Sequence, residues 1–369
     1  MSDGSVPAGV IAHVALRLGR LMLAKGADTQ LIEGKVKALV GRAGYDTHLL
    51  IWPEGLLLTV DNDASFRTKL GHGIAGMTVD MGALMRLDHI ARANGDMAQI
   101  DQALSGVETA HGRYPAWLVV LGMGITAACL ARLFGGEAPV VVVSAVVGAV
   151  STLLRQRLGA WHANPIASAF VIALLTGLVG AVGMRAFPGV SPALCLVTAG
   201  MILTPGVPLI NGVRDALAGH IGMGVGRLAI AAITVVAITF GLFLAALFAS
   251  DPFPVGGTPQ SLSVIEDVLV AGLGAVGFAL LFNVPAWAIW ACILCGMSGH
   301  GLRTALSHAG WSLASGSLVG AAVAALIARI VARQFDVPPV VFAFPGIVAM
   351  IPGSFAFRAG VGALAIMQA

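Results

Sequence analysis

The residues best placed to do chemistry lie in one short stretch, Pro205-Gly206-Val207-Pro208-Leu209-Ile210-Asn211, followed by Arg214-Asp215 and Gly219-His220. Proline removes a backbone donor and its ring collides with the preceding turn, so Pro205 and Pro208 around Gly206 predict an interrupted helix. The N–H groups that open the second part of such a helix can hold a carboxylate. Val207, Asn211 and Asp215 follow one another at single-turn spacing and share a face. An amide and an acid would then line the approach to the break, and the acid could take an ammonium group or a proton. The plainer alternatives are a kink that serves packing and an interfacial acid beside Arg214. A second pair, Pro352-Gly353 before Ser354, occupies the matching place in a later apolar run. That repetition favours a binding site made of Pro205, Gly206, Pro208, Asn211, Asp215, Pro352, Gly353 and Ser354.

Asp215, Glu266 and His220 are the candidates for carrying a proton, because ionisable groups inside apolar segments mark such pathways. Glu266 and Asp267 also read as solvated residues at the start of a span, with Glu266 able to line an outer vestibule. His220 and His300 also read as hydrogen-bonded structural histidines. Cys129, Cys195, Cys292 and Cys295 all fall in apolar runs, so disulfides are not expected. Cys292 and Cys295 have half the spacing of a metal site, but no second pair completes it. No nucleophile-elbow or zinc-protease motif is present, and the acids of the N-terminal part (Asp28, Glu33, Glu54, Asp61, Asp63) have no nucleophile and base beside them. No enzymatic activity, catalytic residue, metal or cofactor is therefore expected.

The elements that must position these groups are set by composition. The 369 residues are 57% hydrophobic and 11% charged, with mean hydropathy +0.91. A soluble protein is about 25% charged, so lipid is the solvent that such a chain fits. Residues 1–113 carry 23 of the 39 charged residues and all four lysines. The break near Arg113 reads as the boundary between a water-facing domain and a lipid-facing one. A net charge of +3, scattered, excludes a nucleic-acid binder. The first residues lack the early basic region of a secretory signal, which keeps the N-terminal domain on the cytoplasmic side.

Within residues 1–113 the patterns predict a helix over 8–25, a second capped by Asp28 with a Glu33–Lys37 pair, strands at 48–52 and 56–61 around Pro53-Glu54-Gly55, and a helix over 73–94. This is a small α+β domain. Apolar spans are expected near 116–131, 138–154, 165–184, 192–213 and 226–249. A Pro/Gly-rich linker at 251–261 follows, then spans near 264–282, 284–302, 312–330 and 337–357. The division is thus 1–113, 114–250, 251–261 and 262–369. Five spans before the linker is an odd number, so the second half enters from the opposite side and the repeat is inverted. Arg155 and Arg303 end the second span of each half. With residues 1–113 inside, Arg113, Arg155, Arg157, Arg214, Arg227, Arg329 and Arg333 fall on the inner side, against four arginines outside.

The stretch from Pro205 to His220 resembles the signature of the threonine/serine exporter family. Gly26-Ala27-Asp28-Thr29-Gln30-Leu31-Ile32-Glu33 and Trp52-Pro53-Glu54-Gly55-Leu56-Leu57-Leu58-Thr59 are similar to that family's cytoplasmic domain. Pro352-Gly353-Ser354-Phe355-Ala356-Phe357-Arg358 is similar to its second half. The resemblance covers essentially the whole chain. It implies ten transmembrane helices in two five-helix halves, sometimes encoded as two proteins, and export of threonine and serine driven by the proton motive force. Some two-component members are linked to dicarboxylate export. The residues after Arg358 are too few for another span, so a tenth helix would be truncated or trimmed. The expected partners are a small amino acid, protons and the lipid bilayer. A homo-oligomer is left open, and the expected location is the cell (inner) membrane.

Overall fold

The computed structural model describes residues 6–62, 65–72, 78–110, 112–187, 193–249 and 262–350. In chain order, α1 (Ala8–Ala24) and α2 (Thr29–Arg42) precede β1 (Asp46–Trp52), β2 (Gly55–Asn62) and β3 (Ser65–His72). Then come α3 (Met81–Arg92), α4 (Met97–Glu108), α5 (Ala116–Leu133), α6 (Ala138–Ala160) and α7 (Pro165–Met184). The rest is α8 (Ala193–Leu203), α9 (Gly206–Leu217), α10 (Ile221–Ala249), α11 (Val264–Leu281), α12 (Ile289–His308), α13 (Leu313–Phe335) and α14 (Val340–Ile347). A 3-10 turn, Val348–Met350, follows α14.

The chain forms two compact units. One contains residues 1–113 together with 207–230; the other contains 114–206 and 231–369. In the first, α1 and α2 pack on a three-stranded antiparallel sheet in the order β1-β2-β3. Asp28 caps α2 as expected, its carboxylate accepting the Leu31 N–H at 3.1 Å, an interaction of about 1 kcal/mol. Gly19 lets α1 approach the sheet, since a Cβ there would lie 2.9 Å from Leu56. Strand β3 and helix α4 were not anticipated from sequence. β3 pairs antiparallel with β2, Asp61 opposite Phe66. α4 buries Met97, Ile100, Leu104 and Val107, a helical stripe legible in the residues. Arg17 of α1 ties α4 down through Glu108 (2.6 Å) and Asp101 (2.8 Å), and these two carboxylates hold its guanidinium above its ordinary value.

In the second unit the two halves pack in the same order. α5 packs on α6, α6 on α7, and α8 returns to α5, α6 and α7; α11 packs on α12, α12 on α13, and α14 returns to α11, α12 and α13. The helices that open the two halves lie side by side and run antiparallel. Gly122 faces Gly277, the Thr126 hydroxyl donates to the Gly274 carbonyl at 3.0 Å, and Arg132 Nε lies 2.6 Å from Glu266. A Cβ on Gly277 would overlap Thr126, so glycine sets the spacing of the two helices. Outward stripes such as Trp117, Leu121 and Ile125, or Ile265, Leu269 and Leu273, are exposed apolar surface that only lipid covers without cost.

The count of spans differs from the nine read in the sequence. Among the described residues six helices are long and apolar enough to cross a membrane (α5, α6, α7, α10, α11, α13), or seven with the bent pair α8–α9. α12 is 20 residues long, but Gly296, Ser298, Gly299, His300, Gly301 and Arg303 make it too polar to qualify by composition. Instead it buries Gly296, Gly299, His300, Gly301 and Arg303 among its neighbours. α14 is short, and the rest of the expected span at 337–357 lies outside the described residues, as do the linker at 251–261 and everything after Met350.

Candidate functional site

The expected interruption is present. α8 ends at Leu203, Thr204 and Pro205 are non-helical, and α9 starts at Gly206 with a bend of 53°. The Gly206 N–H turns back onto the Thr204 carbonyl at 2.8 Å, and the Thr204 hydroxyl donates to the Gly200 carbonyl at 2.9 Å. Pro208 falls in the first turn of α9, where a backbone donor has no intrahelical partner, so α9 tolerates it. In the second unit, Thr204 and Gly206 line a cavity of about 20 Å³ with Phe278, Val348 and Ala349. That is room for about one water. The turn Val348–Met350 that contributes to it leads directly to Pro352, Gly353 and Ser354, which lie outside the described residues. Arg155 of α6 donates to the Ile202 carbonyl at 3.3 Å, just ahead of the break, and has no carboxylate partner among the described residues. In the sequence Arg155 reads only as a loop charge; its match with Arg303 was the available signal.

In the first unit, Asn211 and Asp215 share a face of α9 as their spacing requires, and that face meets α2. Asp215 is 1% exposed; its Oδ1 accepts the Thr29 N–H at 2.9 Å, and its Oδ2 lies 3.3 Å from Nε of Arg227, itself 2% exposed. Arg227 also donates to the Ala27 carbonyl at 2.9 Å, and Asn211 donates to the Gly26 carbonyl at 3.0 Å. Arg214 pairs with Asp28 at 3.1 Å, and His220 lies 3.4 Å from Glu33. Gly226 packs against Pro53 so closely that a Cβ would come within 2.5 Å of its ring. The α2 N-terminus is electropositive, and Asp28 and Asp215 both complement it. Residues of the stretches 26–33 and 211–220, far apart in sequence, therefore meet within the first unit.

A second buried cluster sits in the second unit. Asp267 of α11 accepts the Thr304 hydroxyl at 2.7 Å, and its Oδ1 lies 3.3 Å from Nδ1 of His300. Arg303 lies 2.9 Å from the same Nδ1 and 3.5 Å from Asp267 Oδ2. Asp267 is 3% exposed and His300 fully enclosed. In the sequence both read as bland, an end residue and a structural histidine. The signal was present in His300, Arg303 and Thr304, which share a face of α12. Glu266, the neighbouring candidate, is half-exposed and held by Arg132. The thiols of Cys292 and Cys295 point at the carbonyls of Val341 and Ala324, each at 3.5 Å.

Long apolar helices, lipid-compatible outer faces and a small sheet-containing part define a polytopic helical membrane protein. The chain belongs to the threonine/serine exporter family: the ThrE model matches residues 13–249, and a second model, "Threonine/Serine exporter, ThrE", matches 267–367. It is 26% identical over 247 residues to the "Probable succinate transporter subunit YjjP" of Escherichia coli (strain K12), covering 64% of this chain and 93% of that protein. The protein of the same name from Klebsiella aerogenes is 28% identical, covering 64% of this chain and 92% of that protein. No solved structure matches the chain.

Proposed function

We propose that the chain is a proton-coupled secondary exporter of small polar amino acids, threonine and serine first, working by alternating access around its two Pro-Gly segments. The observation that carries this reading is the cavity between the α8–α9 break and the turn before Pro352, at the meeting of the two halves of the second unit. Inverted-repeat transporters bind substrate at such discontinuous helices. The antiparallel α5 and α11 and the matching order of packing support an inverted repeat of two five-helix halves. A cavity for one water is far smaller than an amino acid, so loading requires the halves to part.

The substrate carboxylate would meet the first-turn N–H groups of α9 at Gly206, with Arg155 adding a cation. Pro205 and Pro208 keep that end open, and Pro352, Gly353 and Ser354 supply the counterpart from the second half. Asn211 would orient the substrate, and Asp215 would take its ammonium group once α9 parts from α2. Residues 1–113 lie in the cytoplasm and the helices in the cell (inner) membrane. No enzymatic activity is needed.

A second reading, export of C4 dicarboxylates such as succinate, is favoured by the name of the relatives. Both substrates need a carboxylate site, and only threonine needs an ammonium acceptor. Everted vesicles loaded by the protein decide between them. Labelled threonine should accumulate uphill, collapse with a protonophore and be displaced by excess serine but not by succinate. Displacement by succinate alone would replace the first reading with the second. Downhill flux insensitive to a protonophore would make the protein a channel.

A further inference from the structure

We infer that Asp267, His300, Arg303 and Thr304 form the proton-carrying site of the transporter, with Nδ1 of His300 as the atom that takes the proton. This deepens the proton-coupled reading above and rests on it.

The geometry leaves two buried polar atoms without a hydrogen-bond partner, Asp267 Oδ1 and His300 Nε2. Arg303 can only donate. At 2.9 Å from Nδ1 it therefore requires that nitrogen to be the bare acceptor, and the imidazole to be neutral with its hydrogen on Nε2. Asp267 Oδ1, 3.3 Å from the same Nδ1, then faces a nitrogen that offers it nothing. A proton arriving on Nδ1 reverses both relations. The Nδ1–H can donate to Asp267 Oδ1, and Arg303, its acceptor lost, has Asp267 Oδ2 at 3.5 Å to turn to. Thr304 holds Asp267 Oδ2 at 2.7 Å in the described arrangement. One proton thus exchanges one hydrogen-bond pattern for another in a packed interior.

The charge changes with it. Asp267 and Arg303 cancel while the imidazole is neutral; protonation leaves a net positive charge buried among α11, α12 and α13. An uncompensated buried charge is strongly disfavoured, so the proton destabilises this packing until an opening to water or the departure of the proton relieves it. That is the differential stability between two states that coupling requires.

Among the described residues, the titratable groups of the neighbouring elements are engaged elsewhere or absent from the cluster. Of the elements packed on the cluster, α5 brings Arg132, which is engaged by Glu266. α13 faces Arg303 with Gly316 and Gly320, and α14 carries no titratable side chain. The cysteines of α12 bond to carbonyls elsewhere. With residues 1–113 inside, the first turns of α11 lie at the outer face, the side from which protons enter when they drive export. The proton comes from outer water to Nδ1 and leaves to inner water in the alternate state.

The test uses full-length protein in liposomes, wild type, H300Q and D267N, with labelled threonine and labelled succinate. Two rates are compared: exchange of labelled for unlabelled substrate without a pH gradient, and accumulation driven by an imposed gradient. The expected result is a gradient-driven rate that falls at least tenfold more than the exchange rate in both variants. Equal falls in the two rates, or gradient-driven accumulation within twofold of wild type, overturn the assignment. If wild type moves neither substrate, the proposed function fails, and the site is read directly. Histidine ¹⁵N spectra, with His300 identified by its absence in H300Q, should show the neutral Nε2–H form at neutral pH and its conversion to imidazolium on acidification. The transition should move in D267N. A hydrogen on Nδ1 in the neutral form, or no conversion on acidification of the folded protein, overturns the site whatever the substrate.

Discussion

Asp215 and Arg227 form an ion pair at 3.3 Å with each side chain all but removed from solvent, and they hold it against the first N–H of α2. The pair lies within the same unit as the sheet, so α9, the helix that begins at the break, is carried by the domain formed by residues 1–113. Removing one partner leaves the other charge buried. Asp215→Ala or Arg227→Met should each cost about 3–5 kcal/mol, read as a loss of thermal stability in detergent. The double variant should cost clearly less than the sum, and additive losses would show that the two charges do not interact.

Asp215→Asn keeps the shape and the Thr29 contact but removes the charge. It should still insert, with a lower thermal stability because Arg227 loses its counter-charge, and threonine efflux per inserted protein should fall at least tenfold. Efflux at the wild-type rate would leave Asp215 a joint residue with no part in transport.

Arg155→Gln should lower efflux of any carboxylated substrate, because the charge beside the break would be gone while the contact with the Ile202 carbonyl can persist. The fall should appear mainly as a raised KM, as expected for a lost binding contact. An unchanged KM for both threonine and succinate would remove Arg155 from the substrate path.

Two glycines should respond in opposite ways. Gly277→Val places a side chain into Thr126 and the Gly122 backbone at the crossing of α5 and α11, and should abolish folded yield. Gly34→Ala meets nothing within 4 Å on an exposed helix surface and should stabilise by about 1 kcal/mol. Size-exclusion profiles after heating compare the two.

The orientation is open to labelling. Gln102 is exposed on α4, and the four native cysteines are buried, so Gln102→Cys supplies one accessible thiol among the described residues. An impermeant maleimide should label it only after lysis. Labelling of intact cells would reverse the orientation and with it the direction of the proposed proton path.

The sequence alone determined the properties that depend on local composition and spacing. The uncharged run inside α10, the break at Pro205, the Asp28 cap of α2 and the lipid-facing class follow from what neighbouring residues can do in water or in hydrocarbon. It also put Asn211 and Asp215 on one face, because helical spacing is a local rule. What that face meets is decided by tertiary structure: the bond from Thr29 to Asp215 joins residues 186 apart, and no periodicity specifies such a partner. The same holds for Asp267, whose position near a helix start reads as solvated until α12 covers it with Thr304, His300 and Arg303. β3 has no pattern that the sequence reading used and is defined by its pairing with β2, while the apolar stripe of α4 is local but its place depends on Arg17 reaching across to it. Spacing says which side chains travel together along one helix, whereas burial and charge pairing arise only when two elements close on each other and exclude water.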